Sequence, residues 1–220
     1  MSIAIAVAFY IMKKYLFYIF FGFIFNNLNG QVSSGRIEYS LSLEDDDNLS
    51  KGELADFFKE AQQNAVHIKF ILDFNNEEMI FYSLNPEIDG ITTAFSLAFA
   101  GVDGVYYRKK NEKIVLNAIE HPVVGKVIIK EDYNIDWQLS EESKMIEGFL
   151  CYKAHTTIKY NNGVGDFVKQ LIVWYCPQIP HSFGPKGYGN LPGMILEFQD
   201  NNILIGAKKI TFNKEELKIA

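Results

Sequence analysis

The chain has 220 residues, of which 48% are apolar and 22% are charged, and its formal net charge at neutral pH is −6. This apolar fraction and the near balance of charges argue against a disordered chain, and the length suits one sizeable domain. Arginine occurs only at Arg36 and Arg108. An acidic chain without clustered basic residues argues against nucleic acid as a partner.

The N-terminal residues are predicted to form a secretory signal peptide. Lys13 and Lys14 precede an apolar run over residues 15–25, and a polar stretch follows; this order of regions is typical of such signals. The alternative is one membrane-spanning helix over residues 3–25, but it would place both lysines near its centre at a cost of roughly 2.5–3.5 kcal/mol each. We therefore expect a cleaved signal, with Met12 as a candidate translation start.

The domain organisation follows from this signal. Residues 1–31 would be removed, and residues 32–220 would form a single β domain that is periplasmic or secreted and has no stable membrane span. The loss of Lys13 and Lys14, without any acid, would change the net charge from −6 to −8. The first cysteine is Cys151, so a lipid anchor on a cysteine directly after the cut is not expected.

The mature chain is predicted to open with a strand and a helix. Apolar residues alternate over Gly35–Leu43, as in a half-buried strand. The acidic run over residues 44–48 could offer oxygen ligands to Ca²⁺, but it lacks the spacing and the turn glycine of a binding loop, so a solvated loop is favoured. Ser50 and Glu53 stand at capping-box spacing before apolar residues at intervals of three and four, which predicts an amphipathic helix over about 50–63. This helix is expected to pack on a sheet, with a partner-binding helix as the alternative.

The remaining chain is predicted to be almost entirely β. Strand-like runs recur at short spacing with no helix between them, which excludes parallel crossovers and predicts an antiparallel meander. Only residues 85–101 are ambiguous, since 94–100 could be a short helix or an apolar loop. The fold class is therefore mainly β (α+β): a curved antiparallel sheet or half-barrel meander with one amphipathic helix packed on it. The predicted strands are 66–74, 78–84, 102–108, 113–119, 123–130, 149–160, 167–176, 193–199 and 203–212.

A long hairpin is predicted over residues 149–176, around a glycine-containing turn. A symmetric turn places Tyr152 opposite Tyr175 and Cys151 opposite Cys176. In an oxidising compartment these two cysteines could form a disulfide. A single bulge in the turn would instead send the sulfurs to opposite faces, so both arrangements stay open.

The segment Pro177–Gly193, which follows this hairpin, contains four prolines and four glycines. This composition excludes a helix and a central strand. One interpretation is that the segment closes an end of the sheet by packing Phe183, Tyr188 and Leu191. The other is that it forms a recognition loop for a ligand or a partner protein.

The residues of this region match a known family pattern. The matching positions, in order, are Ile146–Ala154, Trp174, Tyr175, Ile179, Pro180, Gly184, Pro185 and Asn190-Leu191-Pro192-Gly193-Met194-Ile195. In them the chain resembles the GLPGLI family of exported bacterial proteins. Asn190 replaces the first Gly of the name motif and Met194 its second Leu; Asn tolerates positive φ better than most residues, and Met preserves volume. The resemblance implies an exported or envelope-associated protein of undetermined activity, and it brings no catalytic residues.

No catalytic, cofactor or metal site is predicted. The four histidines lack zinc-ligand spacing, neither cysteine lies in a Cys-x-x-Cys motif, and no nucleophile elbow or phosphate-binding glycine loop occurs. The preferred hypothesis is a non-enzymatic envelope protein that binds an apolar ligand or a protein partner. A groove for an apolar ligand is suggested because the aromatic-rich elements carry more large side chains than a flat sheet can bury. The alternatives are an interaction module that docks on a secreted or outer-membrane protein through Pro177–Gly193, and an enzyme without a recognisable motif.

Overall fold

Antiparallel strands and two helices make up most of the described chain. In this computed structural model the described residues are 33–46, 49–51, 53–84, 91–102, 104–121, 123–161, 163, 165–213 and 218–219, so the predicted signal peptide lies outside them. The helices are α1 (Ala55–Ala65) and α2 (Ile91–Ala100). The strands are β1 (Ser34–Leu43), β2 (Lys69–Phe74), β3 (Glu78–Ser83), β4 (Gly104–Lys109), β5 (Ile114–His121), β6 (Gly125–Asp132), β7 (Gln138–Ile146), β8 (Phe149–Asn161), β9 (Asp166–Cys176), β10 (Met194–Asp200) and β11 (Ile203–Asn213).

The described strands form one 11-stranded sheet in which every neighbouring pair is antiparallel, as predicted. Strands β1 to β6 are successive neighbours, and so are β7 to β11. The two series meet where β11 pairs with β1. Consequently β6 and β7, which are consecutive in the chain, lie at the two edges of the sheet.

The short connection between these edges requires the sheet to curl. Eleven strands spaced about 4.8 Å apart would extend about 48 Å if the sheet were flat. The connecting residues 133–137 allow the end of β6 and the start of β7 to lie at most about 20 Å apart. The predicted curved antiparallel sheet is therefore confirmed, and no described strand pair closes it.

The inner face of the sheet carries the core. A cross-strand row of Ile37, Leu72, Phe81 and Tyr106 runs from β1 to β4, and all four side chains are buried. Burying an aliphatic or aromatic side chain of this size contributes roughly 1.5–3 kcal/mol. The alternation of apolar residues in β1 to β4 thus directs one face of the sheet inward.

Helix α1 begins at Ala55, so the predicted capping box at Ser50 and Glu53 is wrong. Leu54 occupies the cap position, and no side chain caps the helix. The Ser50 N–H donates to the Asp46 carbonyl at 2.8 Å, and the Leu49 N–H donates to Asp46 Oδ1 at 3.2 Å. The Ser50 N–H is therefore already paired and is not available to the Glu53 side chain, its partner in a capping box.

Helix α2 covers the ambiguous residues 94–100, so the helix alternative for this run is the correct one and the sheet carries a second helix. The Ser96 hydroxyl donates to the Ala61 carbonyl of α1 at 2.9 Å. The ring of Phe95 lies 5.5 Å from that of Phe57. The two helices therefore pack on each other, and α1 also contacts β1. No described helix is long and apolar enough to cross a membrane.

Strand β7 is absent from the sequence-based prediction. It pairs with β8 alone, and its register shifts between Leu139 and Ser143. Most of its residues are exposed. A strand at the edge of a sheet tolerates polar residues on both faces, so the alternation that identifies buried strands does not appear here.

Candidate functional site

The β8–β9 hairpin brings the two cysteines together. Tyr152 pairs with Tyr175 as predicted, and continuation of this register sets Cys151 opposite Cys176. Both residues are fully buried and are free thiols in this structure. The closeness of the two thiols lowers the pKa of Cys176 and, together with burial, raises the pKa of Cys151. The predicted disulfide remains a prediction, but the sulfurs share one site rather than opposite faces.

The segment Pro177–Gly193 is held inside the curled sheet by Arg108. This arginine of β4 is only 2% exposed. Its Nη1 donates to the Gly187 carbonyl at 2.8 Å, and its Nη2 donates to Asn190 Oδ1 at 2.6 Å. Its Nε and Nη2 also donate to the Glu112 carbonyl, at 3.0 and 2.8 Å. Burial lowers the pKa of Arg108, but a guanidinium remains charged in proteins. Arg108 therefore joins the turn that follows β4 to the segment Pro177–Gly193.

Aromatic residues fix the same segment to the connection between the sheet edges. The ring of Tyr188 stacks on Tyr133 at 4.7 Å and on Phe198 at 4.6 Å. The Trp137 indole N–H donates to the Gly189 carbonyl at 2.8 Å. Burial raises the pKa values of Tyr133 and Tyr188, so both rings stay neutral at physiological pH. The packing interpretation of the segment agrees with these contacts.

The family-pattern residues shape the backbone of this segment. Asn190 adopts φ +64°, a backbone conformation that Gly and Asn tolerate better than most residues do. A Cβ at Gly193 would lie 2.2 Å from the Cys176 carbonyl oxygen, so only glycine fits there. Tyr175, Gly184, Pro185 and Leu191 are also buried, Trp174 is partly buried, and Pro180 and Pro192 are exposed. A recognition role for the segment remains a prediction, with little exposed surface to support it.

An apolar groove lies at the rim of the sheet, between α2 and the adjoining ends of β3 and β4. Its volume is about 560 Å³, within the range of small-molecule sites. Sequence analysis singled out only the ambiguous apolar run of α2, because the strand ends join it through tertiary contacts. The described lining residues are Tyr82, Ser83, Ala94, Leu97, Ala98, Val102, Gly104 and Val105.

Two hydroxyl-bearing residues line this groove. The Tyr82 hydroxyl donates to Asp73 Oδ2 at 3.3 Å, and Arg36 holds the same carboxylate at 2.7 and 2.8 Å. Burial and the charge of Asp73 raise the pKa of Tyr82, so it is a neutral phenol at physiological pH. The Ser83 Oγ is buried and has no hydrogen-bond partner in the described part of the chain. The described lining contains no Asp, Glu, His, Lys or Arg.

A polar cleft lies at the opposite ends of β3 and β4. Its volume is about 710 Å³, and its described lining includes three glutamates and three lysines, which balance in charge. The Tyr107 hydroxyl donates to the Glu78 carboxylate, and burial together with this hydrogen bond raises the pKa of Tyr107 to about 12. Among the described residues, no group of three His, Cys, Asp or Glu side chains could hold a metal ion.

Comparison with known sequences identifies a family match in the region of the buried segment. A family described as "Protein of unknown function (Porph_ging)" matches residues 164–197, which is less than half of the chain. The match covers β9, Pro177–Gly193 and the start of β10, and it is consistent with the resemblance to the GLPGLI family. The search of curated proteins found no match.

Comparison with solved structures identifies the same fold in PNGF-II. Its structures in the C2 and P21 space groups match with TM-scores of 0.52 and 0.51, each at 14% identity and over 86% of this chain. The chain covers 28% and 29% of those PNGF-II chains, so its fold corresponds to a part of a larger protein. At this identity the likeness shows the fold alone.

Proposed function

We propose that this chain is a non-enzymatic exported protein that binds an apolar ligand in the groove between α2 and the ends of β3 and β4. The observation that carries the proposal is the groove itself, with a volume of about 560 Å³ and a mainly apolar lining. Ligand sites are typically cavities of about 300–1,000 Å³ with few polar groups. The signal-like pattern of residues 1–31 supports export, and mass spectrometry of the exported product's N-terminus tests it.

The side chains of α2 support binding at this groove. Ala94 and Ala98 are exposed although they belong to a helix rich in apolar residues, and Val105 across the groove is 37% exposed. Small residues on a helix face leave room for an occupant next to the backbone. An apolar occupant would remove these surfaces from water, and each Å² removed contributes roughly 25 cal/mol.

Filling the groove tests the proposal. Fluorescence titration with the neutral apolar dye N-phenyl-1-naphthylamine should show saturable binding to the wild-type protein. Ala98→Trp should reduce that affinity at least tenfold, because the indole occupies the groove. Gln63→Trp, which adds the same ring to an exposed position of α1 outside the groove, is the matched control and should bind as wild type. Absence of saturable binding, or equal affinities of the two variants, would overturn the proposal.

A second candidate function is an interaction module, favoured by the correspondence of this fold to a part of the longer PNGF-II chain. The two open edges, β6 and β7, offer backbone groups for pairing with a partner strand. Beside the β6 edge, Val123 and Val124 are 84% and 67% exposed. Deleting Pro177–Gly193 would remove part of the core, so variants at this hairpin tip are the better probe.

Co-purification from envelope extracts tests the module. A double variant with Val123→Lys and Val124→Lys should lose a partner that the wild-type protein retains. Val168→Lys, at a position that is 62% exposed on β9, is the matched control and should retain it. Recovery of the same proteins with both variants would exclude docking at this edge.

A further inference from the structure

The chemistry of the groove also defines the kind of apolar ligand that it suits. We infer that the occupant is a neutral amphiphile, a hydrocarbon chain that ends in an uncharged hydroxyl or ester group, rather than a free fatty acid. This inference rests on the proposed function and adds a ligand class to it. Two independent features of the described groove carry it: the absence of cations and one unpaired buried hydroxyl.

The absence of cations disfavours an anionic head group. No Lys, Arg or His belongs to the described lining of the groove, and the nearby Arg36 is already paired with Asp73, so the described lining residues offer a carboxylate no opposite charge. Moving an unpaired, ionised carboxylate out of water costs far more free energy than moving a hydroxyl or an ester does. An ionised carboxylate among the described lining residues would therefore stay unpaired, which favours an uncharged head group there.

The hydroxyl of Ser83 offers a hydrogen bond to an uncharged head group. Its Oγ is buried, and the described residues provide no partner for it. Buried polar groups in proteins are nearly always hydrogen-bonded, so an unpaired hydroxyl in a ligand-sized groove favours an occupant that completes the bond. A hydroxyl or ester oxygen at the end of a chain can accept from Ser83, while the hydrocarbon contacts Leu97 and Val102 in the same groove.

Head-group selectivity tests this inference separately from the proposed function. Dodecan-1-ol and dodecanoate have the same chain and differ in head group, and both can compete with N-phenyl-1-naphthylamine at pH 8. Dodecan-1-ol should displace the dye at a concentration at least tenfold lower than dodecanoate does. Methyl dodecanoate, which is uncharged and accepts a hydrogen bond, should behave like the alcohol.

Two serine variants then locate the head group. Ser83→Ala should weaken the binding of dodecan-1-ol about fivefold, as expected for the loss of one hydrogen bond, and should leave the affinity for the dye unchanged. Ser42→Ala, which lies on β1 and outside the groove lining, should change neither of these two affinities. Equal or tighter binding of dodecanoate, or an unchanged dodecan-1-ol affinity in Ser83→Ala, would overturn the inference while dye binding still supports an apolar site. Failure of the wild-type protein to bind the dye at all would overturn the proposed function itself.

Discussion

Replacement of Arg108 by methionine should destabilise the protein by about 3 kcal/mol, because it removes four hydrogen bonds from a buried guanidinium. Methionine retains most of the apolar stem but cannot donate. Glu112 and Asn190 are exposed, so water can replace the arginine there, whereas the Gly187 carbonyl is buried and would lose its charged donor. A hydrogen bond to a charged group contributes about 1.5–3 kcal/mol net to stability. Removing the guanidinium also removes the cost of burying its charge, which offsets part of the loss from the four hydrogen bonds.

Urea and thermal unfolding followed by circular dichroism measure this effect. A loss of about 3 kcal/mol should lower the melting temperature by about 6–12 °C in a domain of this size. Arg36→Met is the matched control, since the chain has only these two arginines. Arg36 is 46% exposed at its side chain, and its buried partner Asp73 keeps the Tyr82 hydroxyl as a donor when the arginine is lost, so we expect a loss of about 1 kcal/mol.

The two arginine variants should differ in stability. We expect Arg108→Met to lose at least 1 kcal/mol more free energy of unfolding than Arg36→Met does. We also expect faster proteolysis within Pro177–Gly193 in the Arg108 variant, because that segment loses the hydrogen bond from Arg108 to the Gly187 carbonyl. Equal free energies of unfolding for both variants would show that the buried guanidinium does not hold the segment.

Three further results are expected. Under oxidising conditions, non-reducing peptide mapping should find a Cys151–Cys176 disulfide. Reductant should then lower the free energy of unfolding by about 3 kcal/mol in the wild-type protein, but not in Cys151→Ala. Unlinked cysteines after oxidation would refute this pairing. Gly187→Ala should lose more stability than Gly148→Ala. Both glycines have positive φ, but only at Gly187 would an added Cβ lie as close as 2.5 Å to side-chain atoms. Equal losses would contradict this close packing around Gly187. Because the pKa of Tyr107 is raised, the folded protein holds the proton of this hydroxyl more tightly than the unfolded chain does. The stabilisation from Tyr107 is therefore present below pH 10 and is lost as the pH rises towards about 12. Tyr107→Phe should flatten that part of the stability–pH profile, and an unchanged profile would refute the assignment.

Several elements were predictable because their evidence is local. The alternation over Gly35–Leu43 matches β1 closely, since each buried residue of a half-buried strand is two positions from the next. The turn after β2 is also local: Asn75 Oδ1 accepts from the N–H groups of Glu77 and Glu78 and supports the predicted hairpin. The hairpin of β8 and β9 has the predicted register for the same reason, because a short turn determines which residues face each other.

Other features depend on contacts between distant parts of the chain. The start of α1 differs from the capping-box prediction because the turn at Asp46 competes for the same backbone donors. The edge strand β7 shows no alternation because neither of its faces must be fully buried. The groove unites α2 with the end of β3, and no spacing in the sequence indicates that Ser83 and Ala98 line one cavity.

The amino-acid sequence by itself determined the class of the fold, the antiparallel pairing and the glycine and proline positions that shape the buried segment, because alternation, turn residues and backbone freedom act over a few neighbouring residues. The tertiary structure alone decided that β11 pairs with β1, that Arg108 reaches Gly187, and that an apolar groove opens beside α2. These features join residues far apart in the chain, and their stability depends on the geometry of the whole curled sheet rather than on any local preference.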